Sequence, residues 1–229
     1  GIGQCDHLKQ FRRKADGKMI KDEAWRAEKL ALISCYNEKN KNIKPGGTVC
    51  CGSSLMERFP IEQWSKGKVI NRGVGGYTIE EYADIIDICC LDLKPSRIFI
   101  NIGTNDLNDG GSNINKLIVN YGKLLRTIRK AVPDVDIYVM AYYPVNDDTD
   151  DEFMKEELKY RTNELINEVN LKLKDMAKKL RVNFIDINSC ITDPDGKLIK
   201  EYSVDGVHIN EKGYKKIYEK LQKFFDEQP

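Results

Sequence analysis

The sequence predicts an α/β fold in which helices cover a parallel β-sheet. Short apolar segments of strand length alternate along the chain with longer segments whose apolar residues recur at helical spacing. Residues 97–102 include Ile98, Phe99, Ile100 and Ile102, a nearly continuous apolar run that is expected of a strand covered on both faces. Strands that alternate with helices favour parallel pairing and right-handed crossover connections.

Five strands and the helices between them follow from this periodicity. The strands are predicted at residues 48–51, 68–71, 97–102, 136–142 and 182–187. Helices are predicted at residues 55–59, 78–89, 115–130 and 155–180, and an amphipathic helix follows at the C-terminus. Thr78 with Glu81 at the third helical position forms a capping-box pattern, and Asn210 is the expected N-cap of the C-terminal helix.

The length of 229 residues suits one α/β domain preceded by a small N-terminal segment. We assign residues 1–44 to a polar segment and a helix that packs on the outside of the domain, and residues 45–229 to the domain itself. The helix is predicted from residue 19 to about residue 40, because apolar residues recur there at helical spacing. These residues are Ile20, Ala24, Ala27, Leu30, Ala31 and Ile33.

The balance of charges argues against two classes of partner. Lysine and arginine total 37, aspartate and glutamate total 36, and the formal net charge is +1. Nucleic acids and anionic membranes favour a concentrated basic face, so neither is expected as the main partner. No apolar run approaches the roughly 20 residues of a membrane-spanning helix, and the first residues lack the apolar core of a signal peptide.

The cysteines indicate reduced thiols. Seven is an odd number, and the adjacent pairs at residues 50–51 and 89–90 lie in apolar segments, where cysteine behaves as a small hydrophobe. The chain has no Cys-x-x-Cys pair and only two histidines, so no zinc site is expected. We predict no metal, no organic cofactor and a cytoplasmic location.

Polar and glycine-rich segments follow four of the predicted strands. Ser54 follows the first strand, the glycines of residues 73–76 follow the second, and Asn105 follows the third. The loop after the fifth strand contains residues 205–208. Since functional sites of parallel sheets form outside the carboxyl ends of the strands, we expect these four segments to meet.

A serine, a histidine and an aspartate among these segments are suited to acyl transfer. Histidine serves as the base of a serine nucleophile because its free pKa is about 6.5. The Asp-x-x-His spacing lets Asp205 reach Nδ1 of His208 while Nε2 faces outward. Ser54 is the expected nucleophile and Ser53 competes with it on the same grounds. The alternatives are a helix cap at Ser54 and a solvated or structural His208.

Gly76 and Asn105 are the candidates for stabilising the negative charge of a tetrahedral intermediate. A backbone N–H group and a side-chain amide can both be aimed at one oxygen atom. The alternative for residues 73–76 is a flexible loop or a phosphate cradle, although the spacing of a dinucleotide fingerprint is missing. The alternative for Asn105 is an Asx turn.

The four segments resemble the conserved blocks of the SGNH hydrolase superfamily, which includes the GDSL esterases and lipases. They match in order and spacing over roughly residues 45–226. The matching segments are Gly-Ser-Ser-Leu at 52–55, Asn-Arg-Gly-Val-Gly-Gly-Tyr-Thr at 71–78, Gly-Thr-Asn-Asp at 103–106 and Asp-Gly-Val-His at 205–208. The resemblance implies a three-layer α/β/α sandwich with a five-stranded parallel sheet of the flavodoxin type.

The resemblance also implies a role for each candidate residue. Ser54 would be the nucleophile, His208 its base and Asp205 the group that orients His208. Gly76 and Asn105 would form the oxyanion hole. The implied activity is cofactor-free hydrolysis of a small-molecule carboxylic ester, with short acyl chains favoured because no long lid insertion is evident.

Three other hypotheses remain open from the sequence. The same mechanism could remove acetyl groups from carbohydrates. Ser53 stands where the family motif has aspartate, which motivates the second hypothesis, a binding module with weak or no catalysis. The third is a flavodoxin-like protein that binds a nucleotide or a flavin.

Overall fold

The structure, a computed structural model, describes residues 12–13 and 19–226 of the chain. Its centre is a five-stranded parallel sheet. The parallel α/β sheet predicted from the sequence is therefore confirmed. The predicted polar N-terminal segment lies outside the described residues, apart from Arg12–Arg13.

The strands of the main sheet coincide with the five predicted ones, and their ends differ by no more than two residues. They are β3 (Thr48–Gly52), β4 (Val69–Asn71), β5 (Arg97–Asn101), β6 (Asp136–Met140) and β7 (Asn183–Ile185). The strand order is β4-β3-β5-β6-β7, and each neighbouring pair is parallel. A separate antiparallel pair near the N-terminus joins β1 (Arg12–Arg13) to β2 (Met19–Ile20).

Nine helices of the described chain surround the sheet. They are α1 (Glu23–Asn40), α2 (Ser54–Glu57), α3 (Ile61–Trp64), α4 (Ile79–Asp84), α5 (Ile86–Cys89), α6 (Ile114–Ala131), α7 (Glu152–Glu157), α8 (Asn163–Leu180) and α9 (Glu211–Asp226). None of the helices in residues 19–226 has the length and apolar character needed to cross a bilayer.

Alternating strand residues supply two separate cores. Ile98 and Ile100 of β5 belong to one core, which also contains side chains of α1, α4, α5, α6 and α8. Phe99, between them in sequence, belongs to the other core, which contains side chains of α2, α3 and α9. This alternation follows from the period of two along a strand. Helices thus cover both faces of the sheet, as expected for a three-layer sandwich.

Side-chain caps explain where two predicted helices differ from the structure. The helix predicted at 155–180 is two helices, because Thr162 caps α8 by accepting a hydrogen bond from Leu165 N at 3.1 Å. The helix predicted at 78–89 is interrupted at Ile85, between α4 and α5. Its predicted start is confirmed, since Thr78 and Glu81 form a capping box.

The predicted N-terminal helix forms, but it begins later and buries another face. Residues 19–20 belong to β2, and Asp22 caps α1 by accepting from Trp25 N at 2.9 Å. Leu30, predicted to lie in the apolar face, is 64% exposed. The buried side chains are Trp25, Lys29 and Tyr36, together with Ile33, which belongs to the predicted set. Two of these four are polar, so a prediction based on apolar residues alone identified only Ile33 of the buried face.

Gly103 connects β5 to the segment that contains Asn105, and its conformation requires glycine. Its φ angle is +119°, in the region that side chains rarely adopt. A Cβ atom at this position would lie 2.1 Å from the Tyr142 hydroxyl oxygen. That hydroxyl donates a hydrogen bond to Ile102 O at 2.8 Å, so its displacement would leave a buried carbonyl unsatisfied.

We expect Gly103→Ala to lower the free energy of unfolding by about 2–4 kcal/mol, since backbone strain and overpacking act together. Denaturant titration would measure the change. Gly47→Ala is the matched control, because a Cβ at Gly47 would have no atom within 4 Å and its φ angle is not positive. Equal stability of Gly103→Ala and the wild type would contradict the prediction.

Candidate active site

The segments predicted to converge meet at the carboxyl edge of the sheet. Ser54, Asn105 and His208 line one open pocket of about 360 Å³. Asp205 lies behind His208, and the loop of residues 73–76 runs beside Ser54, where a Cβ at Gly75 would be 3.5 Å from Ser54 Cβ. The structure therefore brings all five sequence-predicted residues into one region.

Ser54 is the first residue of α2 and is separated from the end of β3 by Ser53 alone. Its Oγ lies 3.3 Å from Nε2 of His208. Ser53 is the N-cap of α2 but makes no capping hydrogen bond with its side chain, and no hydrogen bond of the described chain joins it to His208. The geometry thus distinguishes the two serines. Tyr214 of α9 steadies the segment by donating to Leu55 O at 2.7 Å.

Asp205 and His208 form a buried pair in a tight turn. Nδ1 of His208 lies 2.7 Å from Oδ2 of Asp205, and both residues are 3% exposed. The other carboxylate oxygen accepts from the backbone N–H groups of Val207 at 3.0 Å and His208 at 2.8 Å. Because a carboxylate only accepts, Nδ1 carries the proton and the neutral imidazole presents an unprotonated Nε2 to Ser54.

The environment sets the charge of this pair at neutral pH. Burial opposes ionisation of Asp205, but the hydrogen bond and charge of His208 outweigh it and lower the pKa of Asp205 to about 2. Burial lowers the pKa of His208 below its usual 6.5, against the opposing influence of Asp205. At pH 7 the carboxylate is ionised and the imidazole is neutral, which is the state of a general base.

Asn105 lies in a 3₁₀ segment, Thr104–Leu107, with its amide held at both ends. Nδ2 donates to Tyr77 O at 2.9 Å, and Oδ1 accepts a weak hydrogen bond from Arg161 Nη2 at 3.5 Å. A carbonyl only accepts and a guanidinium only donates, so these contacts fix the orientation of the amide. Within the described chain, the second N–H of Nδ2 has no acceptor.

The glycine loop after β4 is anchored by side chains. Asn71 Oδ1 accepts from Gly73 N at 2.9 Å, and Glu57 Oε1 accepts from Gly75 N at 2.8 Å. Gly76 has a φ angle of +78°, and a Cβ there would lie 2.8 Å from the ring of Trp25. No acceptor among the described residues is bonded to the N–H of Gly76 or of Ser54. Both groups can therefore serve an external oxygen.

Sequence reasoning missed Glu157 and Arg161, which line the pocket together with Asn108. Both charged residues are 6% exposed. They stand at the junction of α7 and α8, where the sequence predicted an uninterrupted helix. The only available signal was the presence of opposite charges four residues apart, a pattern that is typical of solvated helices.

Other sequence features have structural roles. Tyr142 and Tyr143, which follow β6 near the active edge, are buried in the two cores and do not line the pocket. The six cysteines between residues 35 and 190 are free thiols. In residues 19–226, no group of three or more histidine, cysteine, aspartate or glutamate side chains is arranged to hold a metal ion.

Solved structures with a similar fold come from several bacteria. A protein of Streptococcus pneumonia described as a candidate platelet activating factor superposes with a TM-score of 0.78 and 25% identity, covering 89% of this chain and 95% of its own. A GDSL-like lipase of Bacteroides thetaiotaomicron superposes with a TM-score of 0.70 and 18% identity, covering 85% of this chain and 97% of its own. Est24, a carbohydrate acetylesterase of Sinorhizobium meliloti, superposes with a TM-score of 0.61 and 19% identity, covering 78% of this chain and 99% of its own.

A longer protein also shows sequence similarity. The N-acylneuraminate cytidylyltransferase of Escherichia coli is 28% identical over 167 residues, which cover 71% of this chain. The match spans only 36% of the length of that relative. The similarity therefore concerns one part of a larger protein.

The sequence profile of the GDSL-like Lipase/Acylhydrolase family matches residues 52–216, which is most of the chain. The matched region begins two residues before Ser54 and contains Asn105, Asp205 and His208. It also contains every strand of the main sheet except the first four residues of β3. The chain therefore belongs to the GDSL-like Lipase/Acylhydrolase family and is a hydrolase that acts on ester bonds.

Proposed function

We propose that the protein is a serine esterase in which Ser54, His208 and Asp205 form a catalytic triad. The observation that carries this proposal is the continuous set of contacts from Ser54 Oγ to His208 Nε2 and from His208 Nδ1 to Asp205. The distance of 3.3 Å at the serine is slightly longer than a normal hydrogen bond. Such contacts are often loose without substrate and shorten in the reacting complex.

In this scheme Ser54 Oγ attacks the carbonyl carbon of the ester while His208 Nε2 takes the hydroxyl proton. The C–O bond to the alcohol then breaks, and His208 returns that proton to the leaving oxygen. Water attacks the resulting acyl-serine with His208 again as base, and the acid and free Ser54 are released. Asp205 keeps its negative charge throughout and stabilises the imidazolium.

Three donors are available to the oxygen that becomes negative in the tetrahedral intermediate. They are the backbone N–H groups of Ser54 and Gly76 and the second N–H of Asn105 Nδ2. The first also lies at the N-terminus of a helical turn. Donors that are fixed before the reaction need no reorganisation when charge develops, and loss of one typically costs about 10²–10³ in rate.

The pocket favours a short acyl group and a polar alcohol. Asn108, Glu157 and Arg161 add polar groups beside Ser54, while the apolar part of the lining consists of Phe153, Met154 and Val207. A second candidate function, removal of O-acyl groups from carbohydrates, follows from the three polar side chains, which can form hydrogen bonds with a sugar. The name of the similar E. coli protein makes O-acetylated N-acylneuraminates a suitable test compound.

Replacement of Ser54 tests the proposal directly. We expect Ser54→Ala to lower kcat/KM for p-nitrophenyl acetate at least about 10³-fold, because no nucleophile remains. Ser53→Ala is the matched control and should keep most of the activity. A fluorophosphonate probe should label the wild type at Ser54 and fail to label Ser54→Ala. Undiminished hydrolysis by Ser54→Ala would refute the triad, and an unlabelled, inactive wild type would favour the binding-module hypothesis.

The pH dependence of kcat/KM should reflect the lowered pKa of His208. The imidazole must be neutral to accept the serine proton, so activity is lost as His208 becomes protonated. Since burial lowers this pKa below 6.5, the acid limb should have its midpoint below pH 6.5. Initial rates from about pH 4 to 8 would show it, with circular dichroism confirming that the protein stays folded. A midpoint at or above pH 7 would contradict the assignment.

A substrate panel separates the two candidate functions. We expect acetyl esters to be hydrolysed at least about tenfold faster, in kcat/KM, than esters of eight or more carbons, because the pocket leaves little room beside Ser54 for a long acyl chain. Acetylated sugars, including an O-acetylated N-acylneuraminate, are compared with p-nitrophenyl acetate, and released acetate is measured. Faster hydrolysis of palmitate than of acetate would show that the pocket does not limit acyl length.

A further inference from the structure

One face of α1 lies against the loop that carries the proposed oxyanion donor. Trp25, Lys29, Tyr36 and Asn40 are separated by four, seven and four residues, so they share one stripe of the helix. Every one of them contacts the segment 72–76, directly or through one other side chain. The helix precedes the region matched by the family profile, which begins at residue 52.

Lys29 and Glu57 form an ion pair beside Gly75. Lys29 Nζ lies 3.5 Å from Glu57 Oε1, and the two side chains are 5% and 16% exposed. The same carboxylate oxygen accepts from Gly75 N at 2.8 Å. A Cβ at Gly75 would lie 3.1 Å from Lys29 Nζ, which shows how closely the ammonium group approaches the loop.

The remaining contacts hold the beginning and the end of the same loop. Tyr36 donates its hydroxyl to Gly73 O at 2.6 Å. Asn40 Oδ1 accepts from Arg72 Nε at 3.1 Å and from Nη2 at 2.8 Å. The ring of Trp25 packs against Gly76, leaving no space for a Cβ atom. Side chains of α1 thus contact this loop at its beginning and at its end, in addition to the bonds from Asn71 and Glu57.

Glu57 supplies a carboxylate close to Ser54, whereas Ser53, directly before Ser54, is uncharged. The family motif has aspartate at position 53, whereas here the serine side chain makes no capping hydrogen bond. Glu57 follows four residues later, at the end of α2, and its carboxylate is directed at the glycine loop. A carboxylate that is only 16% exposed benefits from a compensating charge, and Lys29 supplies it.

We propose that Lys29 and Glu57 are positioning residues that fix the oxyanion hole, with Lys29 brought to it by α1 and Glu57 by α2. This inference rests on the proposed serine-esterase function. The Glu57 carboxylate holds the peptide of Gly75, and the N–H of Gly76 follows one residue later. A donor that is displaced by a fraction of an ångström stabilises the transition state less while ground-state binding is nearly unchanged.

The experiment compares kcat and KM of three variants with p-nitrophenyl acetate. Glu57→Leu removes the acceptor for Gly75 N, Glu57→Gln keeps an oxygen acceptor in the same place, and Lys29→Met removes the compensating charge. We expect Glu57→Leu and Lys29→Met to lower kcat about 10–100-fold with KM within about twofold. The kcat of Glu57→Gln should be at least about tenfold higher than that of Glu57→Leu.

A control and a second readout separate positioning from a general structural role. Lys39→Met removes an exposed lysine of α1 and should leave kcat unchanged. A boronic acid that forms a tetrahedral adduct with Ser54 should bind the variants more weakly in proportion to their loss of kcat/KM. Circular dichroism identifies folded variants. If Lys29→Met fails to fold, the comparison of Glu57→Leu with Glu57→Gln still tests the positioning role.

The outcomes distinguish the two proposals. Folded variants of Lys29 and Glu57 with kcat within twofold of the wild type would overturn the positioning role. So would a parallel loss in Glu57→Leu and Glu57→Gln without weaker binding of the boronic acid. If the fluorophosphonate probe does not label Ser54 of the wild type, the serine-esterase function itself fails, and the positioning role fails with it.

Discussion

Parallel pairing of the five central strands is the constraint on which the site depends. Because β3, β4, β5 and β7 run in one direction, the segments that follow them all emerge at one edge of the sheet. The close approach of Gly103 to Tyr142 fixes where one of these segments leaves its strand. Ser54, the glycine loop, the amide of Asn105 and the turn at 205–208 are therefore neighbours through topology, although they are distant in sequence.

Buried polar groups around this edge are organised in compensated sets. Asp205 is satisfied by His208 and two backbone N–H groups, which keeps its pKa near 2 in spite of burial. Glu57 is satisfied by Lys29 and Gly75 N. In each set a carboxylate orients a group that is proposed to act on the substrate. The charge of the carboxylate is compensated by the ammonium group of Lys29 in one set and by hydrogen-bond donors in the other. Substitution of one member would leave its partner without a compensating charge or hydrogen bond. A single substitution in either set is therefore expected to be destabilising.

The strands and the five candidate residues could be predicted from the sequence because they depend on local signals. Apolar runs mark buried strands, and short polar motifs after them mark the site. The buried face of α1 could not be predicted in this way, since Lys29 is held inside by Glu57, which comes 28 residues later and reaches it only in the folded chain. Glu157 and Arg161 were missed because the Thr162 cap, which places them at a helix junction, competes with a strong helical pattern.

The separation of Ser54 and His208 along the chain has a consequence for folding. These residues are 154 positions apart, and the chain between them forms four of the five strands of the main sheet. A partly folded chain that lacks the last strand cannot bring the imidazole to the serine. Esterase chemistry is therefore expected to emerge only in the last, non-local stage of folding, after the loop-closure entropy of the intervening chain has been overcome.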